Sequence, residues 1–195
     1  MSCPTWIKRL LSPLSYLRIQ HDLKFKYDWL IPGALTIVTM ATLGSIGYQI
    51  PILGPDGIIS SFANLSHVLV GFFIAALTAV ATFPKRSLDQ LMSSPAPTLK
   101  GLYKGKAINR QLIRRRFLCF LFGYLAWLSL FLSLTTIAVK LFGTHVAELI
   151  SPDVKLWLRP CIMTVFTFVI WNLVVTMLLG LFYLTDRIHR AEDGD

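Results

Sequence analysis

The chain is predicted to be an all-α integral membrane protein: a four-transmembrane-helix bundle with an N-terminal interfacial amphipathic helix and both termini in the cytoplasm. Three observations predict this. Hydrophobic residues make up 54% of the 195 residues and charged residues only 15%, where a soluble domain carries about a quarter. Four apolar runs reach the roughly 20 residues that a helix needs to cross a bilayer. The basic residues crowd the segments that would lie on one side.

The first run is Trp29–Tyr48, with Pro32 in its opening turn, where a missing N–H costs little. The second is Ser61–Phe83, closed by Pro84. The third is Phe117–Phe142, and the fourth is Cys161–Tyr183 with Pro160 at its start. Backbone polar groups in hydrocarbon must be satisfied within their own segment, so these runs are read as helices. Pro55-Asp56-Gly57 marks a turn in the short link between the first two, which makes them a hairpin. The link GTHVAELISPDVKLWLRP between the third and fourth is expected to hold a short amphipathic helix. The chain then divides into a basic N-terminal segment (1–28), a first hairpin (29–83), a basic loop (84–116), a second hairpin (117–183) and a tail (184–195).

Orientation follows from charge. Of the 19 Lys and Arg, only Lys140, Lys155 and Arg159 fall on the side away from the termini. Seven of the ten acidic residues share the termini's side, so that face carries net +9 and the other is neutral. The positive side is cytoplasmic. In the N-terminal segment, Trp6, Leu10, Leu14 and Leu17 recur at helical spacing among Lys8, Arg9 and Arg18, a pattern suited to a helix on the inner leaflet, with Pro13 interrupting it.

The basic loop ends in KGKAINRQLIRRR, residues 104–116. Continued as a helix below the third span, it places Lys106, Arg110 and Arg114 on one stripe beside Lys104, while Arg115 and Arg116 turn toward the headgroups. Each such cation near an anionic leaflet is worth about 1 kcal/mol. Anionic lipid headgroups and an acidic cytoplasmic protein both fit the stripe. Direct nucleic-acid binding is not expected, because Tyr103 alone interleaves these charges.

Polar groups at membrane depth are costly and normally face the bundle interior or another helix. Asn64, His67 and Gly71 share a face of the second span. Ser129, Ser133, Thr136 and Lys140 share one on the third, and Asn172, Thr176 and Gly180 share one on the fourth. These positions are expected to pack helices or join protomers, with Asn172 making an interhelical hydrogen bond within the bundle or between copies.

Several chemistries lack their residues. No span contains Asp or Glu, the carboxylate that proton-coupled exporters use. There is no HExxH, no serine nucleophile paired with an intramembrane histidine and no intramembrane aspartate pair. Haem ligation needs two facing histidines, and only His67 lies in a span. Cys3, Cys119 and Cys161 form neither a CxxC pair nor a zinc spacing. We therefore expect no enzyme, no cofactor and no bound metal. The expected function is a non-enzymatic scaffold or sensor that homo-oligomerises and recruits a cytoplasmic protein through its basic face. The competing expectation is an oligomeric pore-forming or membrane-disrupting effector, lined by the stripes that contain Asn172 and Ser133.

A chain of this size, with four spans, both ends inside and a basic loop feeding RRRFLCFLFGYLAWLSLFL, resembles the membrane subunit of the Kiwa type of bacterial antiphage defence. The closing stretch WNLVVTMLLGLFYLTDRIHR suits the same family. The resemblance is architectural and covers the whole chain. It implies a bacterial inner-membrane protein, a homo-oligomer that senses envelope disturbance, and a cytoplasmic DNA-binding partner subunit. On that resemblance Lys106, Arg110 and Arg114 become candidates for docking the partner.

Overall fold

A computed structural model describes residues 12–20, 24–46, 58–82, 84, 86–91, 98–103 and 106–189. The chain is predominantly helical, with α1 (Ile31–Ser45), α2 (Ile58–Thr82), α3 (Arg114–Leu149) and α4 (Pro152–His189). Among the described residues three helical segments are long and apolar enough to cross a membrane: Phe62–Thr82, Arg114–Gly143 and Pro160–Thr185. The run Trp29–Tyr48 does not join them. Its α-helix has 15 residues, because the backbone immediately before it widens into a π-helical turn, Lys26–Leu30. At 1.5 Å per residue α1 alone is about 22 Å long, short of a hydrocarbon core of about 30 Å. The Pro55-Asp56-Gly57 turn lies outside the described residues.

Helix α2 runs antiparallel along α3, α1 lies on α4, and α3 and α4 join the two pairs. The core is built on α3. Leu121, Phe122, Leu125, Ser129 and Thr136 recur along one helical stripe and are completely buried. Phe73 of α2 meets Phe122, with ring centroids 6.5 Å apart. Gly180 lets α4 close on the same place: a Cβ there would meet Leu121 Cδ2 at 2.8 Å.

Three expectations need correction. First, α3 and α4 extend toward each other until only Ile150 and Ser151 separate them, so the link between them holds no separate amphipathic helix. Pro160 therefore lies inside α4 rather than at its start. Pro152 takes the first helical position, where proline fits. Second, residues 12–18 form a 3-10 helix docked on α3. Tyr16 is buried there, Leu17 is exposed and Leu14 is partly buried against the core. Pro13 lies beside Gly123, where an added Cβ would still be 4.0 Å from its ring. Trp6 and Leu10 lie outside the described residues.

Third, the segment expected to continue α3 below the membrane is extended. Strand β1 (Ile19–Gln20), β2 (Thr98–Tyr103) and β3 (Lys106–Gln111) form an antiparallel sheet in that order. The register pairs Tyr103 with Lys106 and Leu99 with Arg110, while Ile19 pairs with Leu99. The helix starts only at Arg114, after Ile113 at φ −73° and ψ 150°. Lys106, Arg110 and Arg114 therefore do not form a helical stripe. Arg86–Asp89 form a 3-10 turn, with Leu88 buried beneath it.

Candidate functional site

The three arginines that open α3 have three different surroundings. Arg114 is partly buried, its backbone N–H donates to the Gln90 carbonyl, and its Nη1 is buried without an acceptor among the described residues. Arg115 acts as a clamp. Its Nε and Nη2 donate to the two carboxylate oxygens of Asp89 at 2.8 and 3.1 Å. Its Nη1 donates to the carbonyls of Val80 and Ala81, both at 3.2 Å. Those carbonyls belong to the last turn of α2, where a helix runs out of its own donors. A planar fork with five donors suits this double task. Hydrogen bonding from Arg115 holds the Asp89 carboxyl below the usual carboxylate range. Arg116 is exposed and lies 5.5 Å from the Phe120 ring centroid. The expected headgroup collar of Arg115 and Arg116 is thus divided: Arg115 is engaged within the chain and Arg116 points outward.

Asn172 occupies a buried polar cluster that joins four segments. Its Nδ2 donates to the backbone carbonyl of Asp28 at 2.8 Å. Its Oδ1 accepts from the Tyr124 hydroxyl at 2.9 Å. The Asp28 carboxylate accepts from the Tyr16 hydroxyl at 3.2 Å and pairs with Lys24 at 2.7 Å. The Tyr16 and Tyr124 rings stack at 5.0 Å, and Lys24 Nζ lies 4.6 Å over the Tyr16 ring. Burial, with the Asp28 charge beside it, pushes the Tyr16 phenol up, so it stays protonated and donating. Tyr124 lies about 15 Å along α3 from Arg114, so this cluster is set well inward of the basic loop. Asn172 therefore bonds within one chain.

Sequence reasoning found Asn172 but missed Tyr16, Lys24, Asp28 and Tyr124. Asp28 reads as the last charge before a span, yet it is 4% exposed. Only the spacing of Lys24 and Asp28, four residues apart on a helix, signals part of the arrangement.

The remaining candidates divide by direction. Ser129, Ser133 and Thr176 face inward, and their hydroxyls are buried with no hydrogen-bond partner among the described residues. Thr136 bonds to the Ser133 carbonyl at 2.8 Å, and Lys140 Nζ donates to Ser60 Oγ at 2.9 Å. Asn64, His67 and Gly71 are exposed, on the side of α2 turned away from the rest of the chain, so within one chain they do not pack against another helix. The inward side of α2 belongs instead to Ala63, Ser66, Phe73 and Val80. Lys104 lies outside the described residues, and Lys106 and Arg110 are placed by strand register alone.

Among the described residues no group of His, Cys, Asp and Glu is arranged to hold a metal ion. Comparison with family models, with curated proteins and with solved structures finds no match to the chain.

Proposed function

We propose that this chain is a non-enzymatic scaffold or sensor of the bacterial inner membrane that self-associates and recruits a cytoplasmic protein through its basic loop. The observation that carries this reading is the outward face of α2. Asn64, His67, Gly71, Ala75, Thr78 and Thr82 follow one another along that helix and are exposed in the single chain. Polar groups turned toward lipid find partners when another helix covers them, and small residues let that helix approach closely. A second copy supplies such a helix.

The apolar run Trp29–Tyr48 supports a fourth crossing, with Lys24, Lys26 and Asp28 standing just before it. Both termini and the sheet then share the cytoplasmic side, in keeping with the positive-inside rule. Lys100, Lys106 and Arg110 lie in the β2–β3 hairpin, which offers an acidic protein or anionic lipid a basic surface. The pore reading draws less support, because Ser129 and Ser133 are enclosed between helices of one chain. The resemblance to the Kiwa membrane subunit supplies the biological setting, antiphage defence with a DNA-binding partner.

The test is affinity purification from the native locus in mild detergent, comparing wild type with Lys104, Lys106 and Arg110 all changed to Glu. The expected result is a multiple of the 22.0 kDa chain carrying a stoichiometric cytoplasmic protein that the variant loses. A monomer that carries lipid alone refutes the proposal.

A further inference from the structure

We propose that residues 12–20 and 24–30 act as a strap that transmits the packing of α1 against α4 inside the membrane to the cytoplasmic sheet. This deepens the sensor reading and rests on it for its biological use, but the coupling itself is a property of the chain alone.

The strap is attached at three places. Its first attachment is β1, where Ile19 and Gln20 pair with Leu99 and Thr98 of β2. The second is Tyr16, buried and stacked on Tyr124 of α3. The third is Asp28, whose backbone carbonyl is held by Asn172 of α4. Tyr16 also donates to the Asp28 carboxylate, closing a loop whose interior carries β1. Immediately after Asp28 the chain enters the π-helical turn and then α1.

Helix α1 is fastened to α4 further along, so the two move together or break identifiable contacts. Trp171 Nε1 donates to Thr39 Oγ1 at 3.0 Å, and the Trp29 and Phe168 rings lie 5.6 Å apart. A shift of α1 along α4 carries Asp28 with it and pulls its carbonyl from Asn172. Tyr16 is then held by Tyr124 on one side and drawn by Asp28 on the other. Only Leu17 and Arg18 separate Tyr16 from the β1–β2 pairing that begins at Ile19. The route touches α3 at Tyr124 and does not involve α2, whose last turn is held separately by Arg115.

This arrangement also accounts for the buried polar chemistry. An apolar residue at 172 would pack two helices, but it could not hold a backbone carbonyl of a third segment. Tyr16 and Tyr124 each combine a stacked ring with a hydroxyl that has one named acceptor.

The experiment is amide hydrogen exchange on the purified full-length chain in lipid nanodiscs, comparing wild type with Asn172→Leu and Tyr16→Phe. Tyr16→Phe keeps the stacked ring and removes only the donor to Asp28. Both variants are expected to speed exchange in 98–103 by about tenfold, the order set by one lost buried hydrogen bond, while exchange across 117–136 stays at the wild-type rate. Unchanged exchange in 98–103 in both variants overturns the strap. A uniform rise over the whole chain also overturns it, because it reports general destabilisation rather than transmission. No partner is present in this measurement, so its outcome is independent of the recruitment test. A sheet that does not respond, in a chain that still recruits, removes the strap and leaves the scaffold standing.

Discussion

Helices α2 and α3 are both apolar enough to cross a membrane and lie side by side, yet they occupy opposite places in the fold. In its most apolar stretch α3 is 56% buried and α2 only 17%. Hydropathy reports the solvent a helix prefers, not its neighbours. Lipid tails are as apolar as leucine, so no hydrophobic force decides which helix goes inside. Shape and polar partners decide it. Helix α3 presents Leu121, Phe122 and Leu125 as a buried ridge and takes α2 on one side and α4 on another. Helix α2 gives one side to that ridge and leaves Asn64, His67 and Gly71 outside.

The largest expected effect breaks the comparison directly. Phe122→Ala opens a cavity in the ridge. In lipid the transfer term is absent, so the cavity term of about 2 kcal/mol remains. Phe72→Ala, on the outward side of α2, is expected to change stability by less than about 0.5 kcal/mol. Thermal unfolding in one detergent measures both. Equal losses would mean that the α2 and α3 surfaces are packed alike.

A smaller effect sharpens the comparison where the two helices meet. Asp89 has a depressed carboxyl because Arg115 bonds to it. Its folded value lies below its unfolded one, so the clamp contributes fully at neutral pH and is lost as pH falls through the depressed value. The protection of amides in the last turn of α2, taken relative to the intrinsic exchange rate at each pH, should therefore stay flat from neutrality down to about pH 4 and fall only below it. Asp89→Asn should show the reduced protection already at neutral pH. A wild-type protection that falls already well above the ordinary carboxylate range would place the titrating group elsewhere.

Much of the membrane layer was legible in the sequence, and the reasons are local. Long apolar runs mark α2, α3 and α4, and prolines mark where helices fit least well. Helix α1 was harder, because the π-helical turn at Lys26–Leu30 shortens it without any signal in composition. The β2–β3 hairpin carries one sign in the sequence. Lys104-Gly105 stands between two runs of strand-forming length, but 106, 110 and 114 also suit a helix face. The Asp28–Asn172 contact joins residues 144 apart in the chain. No periodicity links such positions. Arg115 shows the same limit, since its acceptors are backbone carbonyls of another helix, which any sequence there would supply.

The measurement that tests the central claim most directly is disulfide crosslinking in native membranes. Cys3, Cys119 and Cys161 are first replaced by Ser. One variant then carries Ala75→Cys on the outward face of α2, and the other carries Val165→Cys at an exposed position of α4. Under mild oxidation the account predicts dimers from Ala75→Cys and monomers from Val165→Cys. Monomers from both, or dimers from Val165→Cys alone, would contradict the assignment of the α2 face as the surface on which copies of this chain meet.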